Sequence, residues 1–426
     1  MKLALSNRLI GKGSIFLVAN ILNAAIPFLL LPILTRVLSP TDYGIVAMFS
    51  TFLSFTNTFV GLSVHGAINV QYFKLSPGRF AEYVSNCLLL LVASAVVSFL
   101  VVLLAGGFVE ETLGLPHKWM LVAVGASFFQ FLITIRLAIW MVSGSAVEYG
   151  ALQISQTFIN CGLSLFFIFM AGLTWDGRLL GLITSIGVFG VVSLYLLRRS
   201  GYVVRPSNTK IDIKNALMFG VPLIPHAVGA FVIYNTDRIM ISKIVDVAAV
   251  GVYTVGLQLG QAMALLSESF NKVYAPWMMK NLSDKNIDKI KLVQKSYIAM
   301  ILFLLLGAVW GVVAITVLPL LVGKEFASAK SVILYMCLGH SFTALYYIVT
   351  NYIFYSEKTK FLALITFSSA VVSIPLTYFL ILKYGIEGAA LAFLIVQIVF
   401  FVLTWVLANK VHPMPWLYFL RKRDAE

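Results

Sequence analysis

Two charged residues stand side by side in an apolar stretch past the middle of the chain, Asp237 and Arg238 in YNTDRIMI, and Arg136 lies inside another, FLITIRLAIW. Other apolar stretches hold Asn20, Asn23, Asn57, Gln258, His226, His340 and Glu268. A charged side chain costs about 3 kcal/mol at the centre of a bilayer, so these groups are expected to face a bundle interior or a water-filled cavity. There an arginine fork can hold an anion and amides can hydrogen-bond hydroxyl groups. Asp237, Glu268 and the histidines are the candidates for coupling to an H⁺ or Na⁺ gradient. Neighbours on a helix do not face one another, so Asp237 and Arg238 need separate partners or water, which favours a polar cavity over an internal ion pair.

Blander readings stand beside these. Each amide can simply tie helix to helix, Glu268 and Lys272 have the spacing of a surface pair, and His226 and His340 can be packed and neutral. Arg136, about 10 Å into its span, can line a cavity or snorkel to the inner surface. The five histidines show no metal-ligand spacing and no GxxxxGK[ST] loop is present, so no metal, nucleotide or other cofactor is expected. Cys87, Cys161 and Cys337 all fall in apolar segments, where packing explains them.

The elements that must carry these groups are membrane helices. Of 426 residues, 60% are hydrophobic and only 11% charged, against about a quarter charged in an ordinary soluble domain. The apolar runs have the roughly 20-residue length of spanning helices and lack the alternation of a barrel. The expected fold is an all-α integral membrane protein with twelve spans, near 13–35, 44–66, 83–106, 119–142, 150–171, 178–197, 215–240, 248–270, 296–321, 331–353, 361–382 and 386–408. The first is of full spanning length with no cleavage site behind it, and is expected to stay as a helix rather than be removed as a signal peptide.

An even count puts both termini on one side. Most of the 31 Lys and Arg residues fall on that side while the acidic residues divide evenly, so both ends are expected in the cytoplasm. The net charge of +14 is thereby read as orientation, with attraction to membrane lipid as a by-product and no nucleic-acid partner. The inter-span loops are too short for an extramembrane catalytic domain.

The basic segment 198–214 divides the chain into an N-lobe, 1–197, and a C-lobe, 215–409, followed by a basic tail, 410–426. Across that join LTRVLSPTDYGIV lies over ISKIVDVAAVGVY, with Gly44 on Gly251, Arg36 on Lys243 and Thr35 on Ser242, an offset of 207. This supports two parallel copies of a six-helix unit. Polar residues concentrate in spans one, two, seven and eight, with prolines in one and seven, which points to a central cavity between the copies. Pro40, Asp42, Tyr43 and Gly44 are expected to form a tight turn between the first two spans, and Arg36 to be an interfacial anchor.

The end of the first apolar run, LPILTRVLSPTDYGIVAMF, closely resembles the start of the polysaccharide-transport family of oligosaccharide flippases, in the multidrug/oligosaccharidyl-lipid/polysaccharide exporter superfamily. YNTDRIMI, VGVYTVG and YGIEGAALA are similar to later segments of the same family, and the likeness runs from about residue 5 to 408. The resemblance implies two six-helix lobes related by a pseudo-two-fold axis around a central cavity, and alternating access. It implies a flippase, not an enzyme, of the bacterial inner membrane. Its cargo would be an undecaprenyl-diphosphate-linked oligosaccharide, such as an O-antigen unit for lipopolysaccharide, moved from the cytoplasmic to the periplasmic leaflet. A polysaccharide polymerase and a chain-length regulator would be its partners. On that footing Arg136 and Arg238 are candidates to hold the diphosphate or an acidic sugar, and Asn20, Asn23, Asn57 and Gln258 to line the sugar path. Asp237 and Arg36 complete the cavity candidates. An exporter of organic cations, or a membrane-embedded polymerase or ligase, are the alternatives.

Overall fold

The structure, a computed structural model, describes residues 22–23, 28–284, 286–356 and 358–417, apart from the side chains of 108–109, 111–113, 226, 359–360 and 363. It divides into two compact units, Met1–Gly251 and Val252–Glu426. Unit 1 holds α1 (Phe28–Val37), α2 (Pro40–Phe59), α3 (Val64–Tyr72), α4 (Pro77–Leu113), α5 (His117–Ser143), α6 (Ala146–Phe169), α7 (Trp175–Arg199), α8 (Thr209–Gly220), α9 (Ile224–Ile244) and the first turn of α10 (Val247–Leu282). Unit 2 holds the rest of α10, α11 (Lys289–Leu321), α12 (Lys330–Tyr355) and α13 (Thr359–Val411).

Eight described helices are long and apolar enough to cross a membrane, and ten spans result when α2 with α3, and α8 with α9, are each counted as one bent crossing. The last of these, Leu364–Val411, has 48 residues; a straight helix of that length would measure about 72 Å, over twice the hydrocarbon thickness. It is two crossings. Gly385 breaks it with φ 59° and ψ −136°, and a Cβ on Gly388 would lie 1.9 Å from the carbonyl oxygen of Leu380. Eight residues apart on one straight helix, those positions would be separated by about 12 Å, so the chain reverses within YGIEGAALA. With α1 as the described end of the first predicted span, every one of the twelve has its helix. The chain is an all-α integral membrane protein.

Local sequence explains where helices begin. Ser39 caps α2 in a capping box: its Oγ accepts from the Asp42 backbone N–H at 3.1 Å while its own N–H donates to Asp42 Oδ2 at 3.1 Å. Pro40 occupies the first helical position, where its missing N–H costs nothing. The expected tight turn over Pro40–Gly44 is therefore corrected to a helix start, since the same residue types that punctuate turns also cap helices. Asp288 caps α11 through the N–H groups of Ile290 and Lys291. Those bonds, the one from Lys291 first, hold its carboxyl below the usual carboxylate range.

In unit 1, α5 runs through the middle, packed by α2, α3, α4 and α7, with α6 pairing to α7. A core of Val60, Ile68, Tyr83, Val84, Leu132 and Ile135, among others, forms where α3, α4, α5 and α8 meet. In unit 2, α12 takes the equivalent central place between α11 and α13. Both are the fourth span of their six-helix repeat, and both are among the most buried spans. Gly256 and Gly260 of α10 bring its backbone against Val332 and Met336 of α12, the small-residue spacing that membrane helices use in place of a hydrophobic driving force.

The segment 198–214 is held along α4. Ser85 donates to the Tyr202 carbonyl at 3.1 Å and accepts from Val204 N–H at 2.9 Å. Asn86 donates to the Ser207 carbonyl at 2.8 Å and to Asp212 at 2.7 Å, and Arg79 grips both oxygens of the Asp212 carboxylate.

Candidate functional site

Two spanning helices of unit 1 are broken, and the breaks meet. Between α2 and α3, Gly61, Leu62 and Ser63 have φ of 82°, 49° and 56°, and the helices bend by 51°. Leu62 and Ser63 are in the left-handed region, which costs an L-residue with a Cβ about 1–2 kcal/mol. The Gly61 N–H freed by the break donates to Ser94 Oγ on α4 at 3.0 Å. Between α8 and α9 the chain passes through a 3-10 turn, Val221–Leu223, with Pro222 and Pro225, and bends by 42°. A Cβ on Gly220 would lie 2.0 Å from the Leu62 carbonyl oxygen, and one on Gly66 2.7 Å from the Phe219 ring, so the two breaks are seated on each other.

The prolines of span seven announced its break. That of span two rests on Gly61-Leu62-Ser63, of which only the glycine is a turn former, so the sequence barely signals it. Ser63→Gly is expected to raise the thermal midpoint of the purified protein by about 2 °C, because left-handed strain is relieved at a modest entropic cost. An unchanged or lower midpoint would mean that the Ser63 conformation is unstrained.

Half-buried polar groups of unit 1 form a seam along one face of α6. Gln156, Thr157, Asn160 and Ser164 follow at intervals that keep them on one side of a helix. Asn23 accepts from Thr157 in a very short bond, the Gln156 amide reaches Gln130 of α5 at 3.4 Å, and Ser185 of α7 donates to the Gln156 carbonyl at 2.9 Å. Arg178, in the first turn of α7, donates to Asn160 Oδ1 at 2.6 Å and to Ser164 Oγ at 2.8 Å. In the sequence Arg178 stands at the very start of its predicted span, 178–197. Its stem is long enough to carry the guanidinium inward from a helix end, and Asn160 together with Ser164, one turn apart on the preceding span, was the only available signal.

Of the residues nominated from sequence, Asn23 lies in this seam. Arg238 is half-buried on α9 and turns back along its own helix, donating to Asn235 Oδ1 at 2.8 Å and to the Tyr234 carbonyl at 3.1 Å. Half-buried Asp237 accepts from the Arg238 backbone N–H at 2.8 Å. Arg136 is 6% exposed and stacks on Trp140 of the next turn, 4.2 Å from the ring centre, a cation–π contact. Arg136 and Arg238 thus engage different partners. Asn57 and Gln258 are half-buried, whereas Arg36 and Glu268 are exposed, as is Lys272. Asn20 and the His226 side chain lie outside the described residues.

In unit 2, His340 is buried against Phe393, ring centres 5.0 Å apart, and its carbonyl accepts from Ser267 at 3.2 Å. Its Nε2 and the buried amide nitrogen of Gln397, one turn beyond Phe393, have no hydrogen-bond partner among the described residues. Among those residues no three His, Cys, Asp or Glu side chains gather to hold a metal ion.

The polar features of unit 1 are thus two spanning helices broken at paired points, and half-buried amides and a guanidinium set between helices. Known proteins agree with the architecture. Two relatives come from Haemophilus influenzae strain Rd. One, an uncharacterized membrane protein, is 28% identical over 366 residues, covering 83% of this chain and 85% of the relative. The other, the Lsg locus putative protein 1, is 24% identical over 369 residues, covering 84% and 88%. Among solved structures, the fold is similar to a multidrug resistance MATE family transporter of the MOP superfamily in its inward-facing conformation. The TM-score is 0.73 at 14% identity, over 91% of this chain and 94% of that one. It is also similar to the Lipid II flippase MurJ in an inward closed conformation, with a TM-score of 0.74 at 14% identity over 92% and 87%. The model of the polysaccharide biosynthesis protein family matches residues 9–282, well over half the chain, and the protein belongs to that family.

Proposed function

We propose that this protein is a flippase, which carries a polyprenyl-diphosphate-linked oligosaccharide from the cytoplasmic to the periplasmic leaflet of a bacterial inner membrane by alternating access. The observation that carries the reading is the seam in unit 1, where half-buried Arg178, Asn160, Thr157, Gln156 and Gln130 and buried Ser164 are joined by hydrogen bonds between spanning helices. Moving a diphosphate and hydrated sugars through hydrocarbon without partners costs on the order of tens of kcal/mol. Amides and hydroxyls replace the water around sugar hydroxyls, and a guanidinium that stays charged replaces it around phosphate. From Gln153 to Ser164 the face of α6 offers about 16 Å of such a path. Membership of a polysaccharide biosynthesis family supports a glycan cargo, and the lipid II flippase shares the fold.

Arg136 and Arg238 remain in the proposal as further holders of the diphosphate or of an acidic sugar, in lobes joined by 198–214. Undecaprenyl diphosphate as carrier, an O-antigen or similar unit as glycan, cytoplasmic termini, coupling to H⁺ or Na⁺ through Asp237 or a histidine, and cooperation with a polymerase and chain-length regulator belong to the same reading.

The test is flipping of a fluorescent undecaprenyl-diphosphate-linked sugar in proteoliposomes. Arg178→Ala is expected to slow it about tenfold, equivalent to about 1.4 kcal/mol of lost stabilisation, with Arg178→Lys between it and the unchanged protein. The combined Arg136→Ala and Arg238→Ala variant is expected to be slowed as well; full rate there would leave those two only structural roles. Export of an organic cation without any movement of the lipid-linked sugar would overturn the proposal in favour of a multidrug exporter.

A further inference from the structure

In unit 1, α2, α4 and α9 leave a trough of about 780 Å³. Its floor is α4, where Ala93, Val97, Val101 and Ala105 follow at four-residue steps and form one row along the helix. Val97 and Val101 are 60% and 58% exposed, so the protein leaves the trough open at its middle. The walls are aromatic: Phe55 of α2 packs on Phe59 at 5.0 Å and on Phe231 of α9 at 5.3 Å between ring centres. The rings form one continuous wall over a floor of small residues, and larger residues on α4 would close the trough.

Length selects the occupant. The floor from Leu90 to Gly106 runs about 24 Å along α4, whereas one leaflet contributes only about 15 Å of hydrocarbon. An acyl chain anchored at one face would leave the far part of the trough empty. A chain that crosses the bilayer midplane would fill it. The same two broken spans supply a polar end: a second cleft, of about 230 Å³, is lined by Gln71, Lys74 and Asn215, on α3, just beyond it, and on α8. Exposed Lys74 complements an anionic head group, and the Gln71 amide donates to Asn215 at 3.1 Å.

We propose that the trough on α4 seats one long polyprenyl chain, with its phosphorylated head directed to the Lys74 cleft. The inference rests on the reading that the cargo is polyprenyl-linked. Lipid tails are as apolar as leucine, so the trough gains nothing from hydrophobicity and selects by packing alone. The chain is held straight beside the broken helices while the sugar passes through the unit, which fixes the end from which the head group approaches.

Photolabelling in proteoliposomes tests this without turnover. Undecaprenyl diphosphate with a diazirine on a distal isoprene is compared with phosphatidylglycerol carrying a diazirine at an acyl terminus, and labelled peptides are mapped by mass spectrometry. The polyprenyl probe is expected to label residues 90–106 about tenfold more than the phospholipid probe. Val97→Phe combined with Val101→Phe should remove that preference, while Leu103→Phe, on the opposite face of α4, should keep it; thermal midpoints confirm that both variants are folded. Equal labelling by the two probes, or labelling untouched by the paired phenylalanines, overturns the proposal. Loss of flipping in the unchanged protein with labelling preserved would instead overturn the cargo reading, so the two failures are distinguishable.

Discussion

Gly44→Val or Gly251→Val is expected to stop transport while the protein still folds and inserts. The N-terminal turns of α2 and α10 cross with their backbones in contact. A Cβ on Gly44 would lie 1.9 Å from the Val247 carbonyl oxygen, and one on Gly251 would lie 2.0 Å from the Pro40 carbonyl oxygen. Both obstructing atoms are main chain and cannot rotate aside. Overpacking a fitted contact costs about 1–3 kcal/mol when side chains can adjust, and more when backbone must move. The two contacts are also one contact seen twice: Pro40 corresponds to Val247 and Gly44 to Gly251 under the same 207-residue offset, so each repeat offers the other the same surface, as in a two-fold interface. The two single variants should therefore be impaired to a similar degree, and the double variant should fall short of additivity because both disturb one crossing.

On the proposed topology these turns lie at the outer face, where alternating access requires them to part and rejoin. A penalty of about 2–3 kcal/mol on the closed arrangement shifts its population roughly a hundredfold toward opening. In a background with Cys87, Cys161 and Cys337 replaced, a cysteine introduced at Ala248 should react faster with a membrane-impermeant maleimide when Gly44→Val is present. Flipping at the normal rate in both variants would show that the crossing takes no part in the cycle.

Hydropathy alone makes the spans legible, and the thirteen-residue match of LTRVLSPTDYGIV to ISKIVDVAAVGVY carries the register that the glycine crossing obeys. Both succeeded because each depends on local pattern: a run of apolar residues, and a duplicated segment that kept its glycine. The rest depends on where a side chain goes after the helix is built. Arg178 looked like a boundary charge because sequence position records its Cα and not its guanidinium. Arg136 shows the same limit: FLITIRLAIW sets it one turn from Trp140, where the two side chains can meet, but does not fix whether the guanidinium lies on that ring or on a cargo. The break at Gly61–Ser63 escaped because the flanking pattern stays apolar on both sides, and a hydropathy window reads straight through it. In 198–214, the polar residues RPSNTKID read as a solvated linker, although Asp212 is 4% exposed; its partner Arg79 is 133 residues away.

That buried carboxylate supports the second large effect, which is on stability. Arg79 binds Asp212 through two bonds, 2.8 and 2.5 Å, and also reaches Glu82 at 3.0 Å, while Asp212 has Asn86 at 2.7 Å as its other partner. The pair is asymmetric. The Arg79 side chain is 27% exposed and keeps Glu82 and water if Asp212 is removed, whereas the Asp212 side chain is 5% exposed and would be left with an amide alone. Removing one member of a buried pair costs about 3–5 kcal/mol when the survivor is stranded, and Arg79→Ala falls in that class. Asp212→Asn loses charge-assisted bonds worth about 1.5–3 kcal/mol and strands nothing, so it should be the milder change. Combining Arg79→Ala with Asp212→Asn should recover part of the loss, because no buried charge then remains. Thermal midpoints in detergent would rank the three, and trypsin would report the same order through cleavage after Lys210, which is protected while α8 is pinned to α4. The order should persist in high salt, since a buried pair is little screened. If Asp212→Asn proved the more damaging, Asn86 and the Ser207 carbonyl would be holding the segment, and the arginine would be a surface charge that happens to lie near.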